Sequence, residues 1–247
     1  MKLFPNGNHP SLSMRFFIPG IFLAAACAAA SAGTITGNVR AEGKTDAMDG
    51  ATDGATDGAY ASRKYKFVEK VDYPAMHDFV VYVEGSFGTN SEPPTNSMQV
   101  TTVKVSQDHA MFSPHILPVM VGTWVEWPNN DDIYHNVFSM SDAKSFDLGL
   151  YKGKDPDKRV LFDKPGRVDV FCSIHKDMNC VVLVLENPYF ASTDENGNYK
   201  IPGVPPGTYK LKAWHERLPA DEREITVPTN GEVKVDFVLG IKNLPQY

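Results

Sequence analysis

Apolar and polar positions alternate along most of this chain in runs too short for helices. Thr34-Ile-Thr-Gly-Asn-Val39 reads as a strand, and so does Phe79-Val-Val-Tyr-Val-Glu84. From Met98 onward, apolar stretches recur between turn signals: Gln99 to Val105, His115 to Val121, Thr123 to Trp127, Asn136 to Ser139, Arg159 to Phe162, Arg167 to Cys172 and Cys180 to Leu185. Short strands at this density predict a β-sandwich or barrel. The tail changes character. Thr193 to Ile201 is a strand opened by an Asx/Gly turn, and Pro205 to Trp214 is a tight turn feeding an alternating strand. Glu224 to Val227 and Val233 to Leu239 complete a small antiparallel sheet. No segment past the N-terminus has helical periodicity of useful length, so the expected fold class is all-β.

Three stretches break the pattern. Arg15 precedes an apolar run, Phe16 to Ala30, that is too short and alanine-rich for a membrane span and ends in the small residues Ala30-Ser31-Ala32. Residues 1–32 therefore read as a signal peptide cleaved after Ala32, leaving a periplasmic or secreted chain without an integral membrane segment. Met14 is an alternative start. Cys27 offers a weaker lipoprotein reading, with Leu23 one place too far away for the usual lipobox. Ala47-Met-Asp-Gly, Ala51-Thr-Asp-Gly and Ala55-Thr-Asp-Gly repeat a tetrapeptide within a low-complexity loop, residues 43–62. They lack the nine-residue pattern of calcium β-rolls. Residues 85–97 read as a linker.

Composition changes this picture little. The chain is 42% apolar and 11% aromatic, so a core can form, and its 19 glycines and 18 prolines favour turns over long helices. The formal charge is −6, and losing Lys2 and Arg15 with the leader makes it −8. That argues against nucleic acid as a partner and permits a basic protein.

Cysteine usage is more telling. Cys27 leaves with the leader, so Cys172 and Cys180 remain in an oxidising compartment, where a disulfide is one reading. The alternative lies in Cys172-Ser-Ile-His175-Lys-Asp-Met178, which packs a thiolate, an imidazole and a thioether into seven residues. Thiolate and thioether are soft ligands suited to copper, and imidazole serves both of its oxidation states. Upstream, the strand Thr123 to Trp127 and an Asn/Asp turn lead to His135. His135, Cys172, His175 and Met178 together supply the two-imidazole, one-thiolate, weak-axial-Met set of a blue-copper site. Cys180 stays open as a buried free thiol, a disulfide partner, or an axial ligand of a zinc-favouring site. Met111, Met120 and Met140 read as packing residues. His77, His109, His115 and His215 read as surface or turn residues, with His115 a candidate for the metal end.

These motifs resemble the cupredoxin family over residues 98–186. Phe112-Ser-Pro114, Val125-Glu-Trp-Pro-Asn-Asn-Asp131, His135-Asn-Val and the ligand loop occur in the family's order, and the C-x2-H-x2-M spacing is similar to that of amicyanin. The resemblance implies a Greek-key β-sandwich over residues 96–186 and a single copper ion. It also implies that Asn136 and Ser173 brace the ligand loop by hydrogen bonds. The tail resembles the carboxypeptidase regulatory-like (transthyretin-like) sandwich, through Thr193-Asp-Glu-Asn-Gly197-Asn-Tyr199 and Ile201-Pro-Gly-Val-Pro-Pro-Gly207-Thr-Tyr209. Its expected first strands are missing before Thr193 but present at Gly33 to Val39 and Phe79 to Glu84. Residues 33–95 and 187–247 are therefore expected to form one sandwich with the copper module inserted, since about 55 tail residues alone would bury little core.

The implied function is one-electron transfer to a redox partner protein, without enzymatic chemistry. There is no His-x-His for further copper centres and no positioned acid/base pair. Copper sequestration or delivery would use the same ligands. A further alternative is carbohydrate or cell-envelope protein binding through the transthyretin-like module.

Overall fold

The computed structural model describes residues 32–43, 72–85, 102–153, 155 and 158–240. The leader up to residue 31, the Asp-Gly repeats and all but the first residue of the 85–97 linker lie outside the described residues. Among the described residues the order begins β1 (Gly33–Ala41), β2 (Val80–Val83), β3 (Thr102–Lys104), β4 (Ser106–Asp108), β5 (Met111–Ser113) and β6 (Ile116–Met120). There follow β7 (Thr123–Trp127), β8 (His135–Ser141), β9 (Lys144–Tyr151), β10 (Lys158–Phe162), β11 (Gly166–Phe171) and β12 (Asn179–Leu185). The last are β13 (Phe190–Ser192), β14 (Asn198–Val204), β15 (Gly207–His215), β16 (Leu218–Val227), β17 (Glu232–Lys234) and β18 (Phe237–Leu239). The fold is all-β, and no helix among the described residues is long and apolar enough to cross a membrane.

A central sandwich is built from the middle of the chain. One sheet has the order β10-β7-β3, the other β6-β12-β11-β8-β9, and β4-β5 form a small hairpin. Period-two alternation explains the packing. On β7, Thr123, Val125 and Trp127 point inward, and Trp127 meets Phe112 edge-on at 5.7 Å. Trp124, on the opposite face of the strand, lies 4.8 Å from the Arg159 guanidinium.

A terminal sandwich joins the two ends of the described chain. β1 lies between β14, antiparallel, and β17 and β18, both parallel to it. The facing sheet has the order β13-β2-β15-β16. Ile35, Val39, Phe79, Val81, Tyr199, Ile201, Leu211 and Phe237 fill the space between the sheets. The Tyr199 hydroxyl donates to Val235 O at 2.7 Å, which satisfies the polar end of a buried ring. Only glycine fits at position 37, because a Cβ there would lie 1.8 Å from Val235 O. Gly197, at φ +78°, closes the turn before β14. Asn187 is buried where the chain re-enters this sandwich, and its amide donates to both Val83 O and Gly85 O at 2.7 Å.

The two sandwiches share β12. Cys180, Val182 and Val184 face the central core, while Val181, Leu183 and Leu185 face outward and are buried with Val80 and Ile116. Tyr82, Phe190 and Trp214 of the terminal sandwich pack on that outer face. A run buried on both faces reads as continuous apolar sequence, as residues 180–185 do.

Some expectations are corrected. Met111 and Met140 are 61% and 84% exposed rather than packed. β9 and the β4-β5 hairpin were not anticipated, and the run Val233 to Leu239 divides into β17 and β18.

Candidate metal centre

The site is made where two neighbouring inner strands meet at one end of the five-stranded sheet. β8 and β11 are antiparallel with Phe171 opposite Phe138, so the start of β8 and the end of β11 coincide. His135 is the first residue of β8, and Cys172 follows the last residue of β11. The loop from Cys172 to Met178 is tied to itself: Met178 N–H donates to His175 O and Cys172 N–H donates to Met178 O, each at 3.1 Å.

His135, Cys172 and His175 are brought together, with one donor atom from each lying within 4.8 Å of the others. The two Nδ1 atoms are 3.0 Å apart, and Cys172 Sγ is 3.6 Å from His175 Nδ1. His135 is fully buried and His175 half-buried. Met178 is buried in the same apolar cluster as Cys172.

Asp131 orients the first histidine. Its Oδ2 lies 2.7 Å from His135 Nε2 and accepts the Ala110 N–H at 3.0 Å, while Oδ1 accepts the His109 N–H at 2.8 Å. Burial pushes this carboxyl upward, but the bonds from Ala110, His135 and His109 outweigh it and hold it below its ordinary value. A carboxylate only accepts, so Nε2 carries the proton and Nδ1 is left as a lone-pair donor facing Cys172 and His175. The same carboxylate caps a strained hairpin, since His109 and Ala110 both have positive φ, +51° and +55°, without being glycine. Asn129 steadies the loop from inside, donating to Ile133 O at 3.1 Å and Tyr151 O at 3.0 Å. Sequence reasoning treated Asn129 and Asp131 as turn residues. A four-residue spacing outside a helix carries no periodic meaning, so only the position of the Asn/Asp turn next to a histidine hinted at their role.

The bracing of the loop differs from the expectation. The Asn136 side chain donates to Asp147 Oδ1 at 2.7 Å, and it is the Asn136 backbone N–H that points at Cys172 Sγ, at 3.5 Å. Ser173 is exposed. Cys172 and Cys180 are both free, and Cys180 lies outside the donor group. Burial, reinforced by the charges of Asp169 and Glu216, raises the Cys180 thiol far above its ordinary range, so it stays protonated. His115 bonds to Asn179 O and Glu216 and does not join the donors.

Two imidazole nitrogens and one sulfur, with a buried thioether in the same loop, fit a soft or borderline transition metal. The acidic group nearest the donors is already engaged by His135 and two backbone amides, which disfavours an oxygen-seeking ion.

No curated protein matches the chain. Among solved structures, a copper-containing nitrite reductase from Thermus scotoductus SA-01 aligns at 28% identity and TM-score 0.33, covering 35% of this chain and 23% of that one. A purple cupredoxin from Nitrosopumilus maritimus aligns at 24% identity and TM-score 0.30, covering 33% and 98%. An oxidised amicyanin variant aligns at 24% identity and TM-score 0.31, covering 33% and 80%. Thus the chain spans under a quarter of the nitrite reductase. β1 and β2 share sheets with a stretch that has its own family match: residues 179–240 match the carboxypeptidase regulatory-like domain.

Proposed function

We propose that this chain is an exported type 1 copper protein that passes single electrons to and from a partner protein. The observation that carries this reading is the convergence of His135 Nδ1, Cys172 Sγ and His175 Nδ1 where β8 begins and β11 ends. Copper held by these residues and Met178 would supply a one-electron couple. The residues themselves supply rigidity and access. Asp131 fixes the His135 ring, and the Asn136 backbone N–H, pointing at Cys172 Sγ, holds the sulfur in place. The half-buried His175 edge gives the electron a short way out. Ile174, beside it in sequence, is 50% exposed, and Ile133 and Tyr134 just before His135 are about as exposed. These apolar side chains suit a transient contact with a redox partner.

Export rests on the leader: cleavage after Ala32 would leave Gly33, the first residue of β1, as the new N-terminus. The pairings of β1 and β2 support reading residues 33–95 and 187–247 as one module, with residues 96–186 inserted.

The test is spectroscopic. Full-length protein loaded with Cu(II) is expected to show intense thiolate-to-copper charge-transfer absorption, and Cys172→Ser is expected to abolish it while leaving a folded β-protein. Colour that survives Cys172→Ser removes Cys172 from the site and sinks the reading.

A further inference from the structure

Polar contacts between the two sandwiches converge on the end of the metal-binding loop. His115, directly before β6, brackets that end. Its carbonyl accepts the Val181 N–H at 2.8 Å, and its ring Nδ1 lies 3.2 Å from Asn179 O. The other ring nitrogen, Nε2, lies 2.8 Å from Glu216 Oε1, in the turn between β15 and β16 of the terminal sandwich. Glu216 is itself held from the central sandwich, because its carbonyl accepts from Arg167 Nη1 at 3.1 Å. Arg167 pairs with Asp169 at 2.6 Å and lies over the Trp214 ring at 5.7 Å. Asn179 directly follows Met178 and sits opposite Phe171, so it is where the loop rejoins the sheet.

We propose that the β15-β16 turn of the terminal sandwich is a positioning element of the metal-binding loop, with Glu216 acting through His115 to fix the peptide at Asn179. This rests on reading that loop as the copper site. The Met178 N–H and C=O both close the loop, so a peptide held at Asn179 restrains the next residue back, which carries the thioether. The buried outward face of β12 keeps the two modules in register, and the Glu216–His115 bridge sets the loop's exit. The terminal module is thereby part of the site's support.

The experiment uses full-length protein and the variants Glu216→Ala, His115→Phe and Glu216→Gln. In metal-free protein, amide exchange at Cys172 and Met178 is expected to quicken about tenfold in Glu216→Ala and His115→Phe, the order expected for local opening when a charged hydrogen bond is lost. Exchange at Val125 and Val39 should not change, and Glu216→Gln, which keeps an acceptor for His115, should stay close to wild type. With Cu(II), the first two variants should shift the thiolate band and lose copper to a chelator several-fold faster. Unchanged loop exchange in both, or an equal acceleration at Val125 and Val39, overturns the proposal. Should wild-type protein take up Cu(II) without a thiolate band, the copper reading fails, and the metal-free exchange still decides whether the turn positions the loop.

Discussion

The two sandwiches bury different things. In the central one, Gln107, Thr123, Asn129, His135, Asn136 and Ser139 are buried polar residues. Several of them bond to groups on neighbouring strands: the Asn129 amide donates to Tyr151 O at 3.0 Å and the Asn136 amide to Asp147 Oδ1 at 2.7 Å. In the terminal sandwich, buried polar side chains among the described residues are Asn187 and His215, and the interior is otherwise Val, Ile, Leu, Ala, Phe and Tyr. Buried polar networks are costly unless satisfied, and once satisfied they fix side-chain positions. One sandwich therefore spends interior space on holding a few atoms in place. The other closes a sheet from two distant pieces of chain, which only apolar burial and strand pairing can stabilise.

That contrast can be broken from its apolar side first. Phe237 is fully buried beside β1, and Phe237→Ala should cost about 3–5 kcal/mol, read as a lowered urea midpoint. The loss should appear first in tail probes such as Trp214; simultaneous loss of the central sandwich would show that the two cores are one cooperative unit. Leu183→Ala, at the shared face of β12, should cost about 2 kcal/mol, the low end for such truncations. It should draw the unfolding transitions of the two sandwiches apart, and a single unchanged transition would contradict an interface role.

The polar side is tested at Asp131. Asp131→Asn removes the charge that holds the His135 ring, and metal affinity should fall about 10–100-fold in chelator competition. The smallest expected effect is at His215. Burial, chiefly, holds its imidazole below the ordinary value. The unfolded chain then takes up the proton first, at about pH 6.5. Stability is fully present above that pH and is lost as pH falls toward the folded value. His215→Phe should flatten stability against pH between about 7 and 5; an unchanged slope would assign it to other groups.

What the sequence disclosed follows the same division. Apolar alternation located β7 to the residue and β1, β2, β8, β10, β11 and β12 within two residues at either end, because these strands bury at least one face. β9 escaped notice because its pattern is largely exposed, an edge strand with little apolar signal. The β4-β5 hairpin escaped because its turn, His109-Ala110, lacks the Asn-Gly signature, its geometry being held from afar by Asp131. The donors that the structure groups, His135, Cys172 and His175, stood out because a thiol, an imidazole and a thioether within seven residues are chemically unusual. Asp131 and Asn129 did not, since their partners are reached through irregular loops, and for His115 the sequence suggested the metal end but not the Glu216 partner 101 residues away. The two-sided burial of residues 180–185 was visible as an apolar run, but the identity of the second neighbour was not.

Asn187 has a further consequence. One carboxamide bonds the carbonyls on both sides of Glu84, at the point where the chain departs for the central sandwich, and it sits where the chain comes back. The two necks of the excursion therefore lie within hydrogen-bond reach of each other. A gap that narrow can be bridged by a short turn, so chain connectivity at the necks asks little of what lies between residues 85 and 187. What restrains that segment is the buried outer face of β12, packed against Val80, Tyr82 and Trp214.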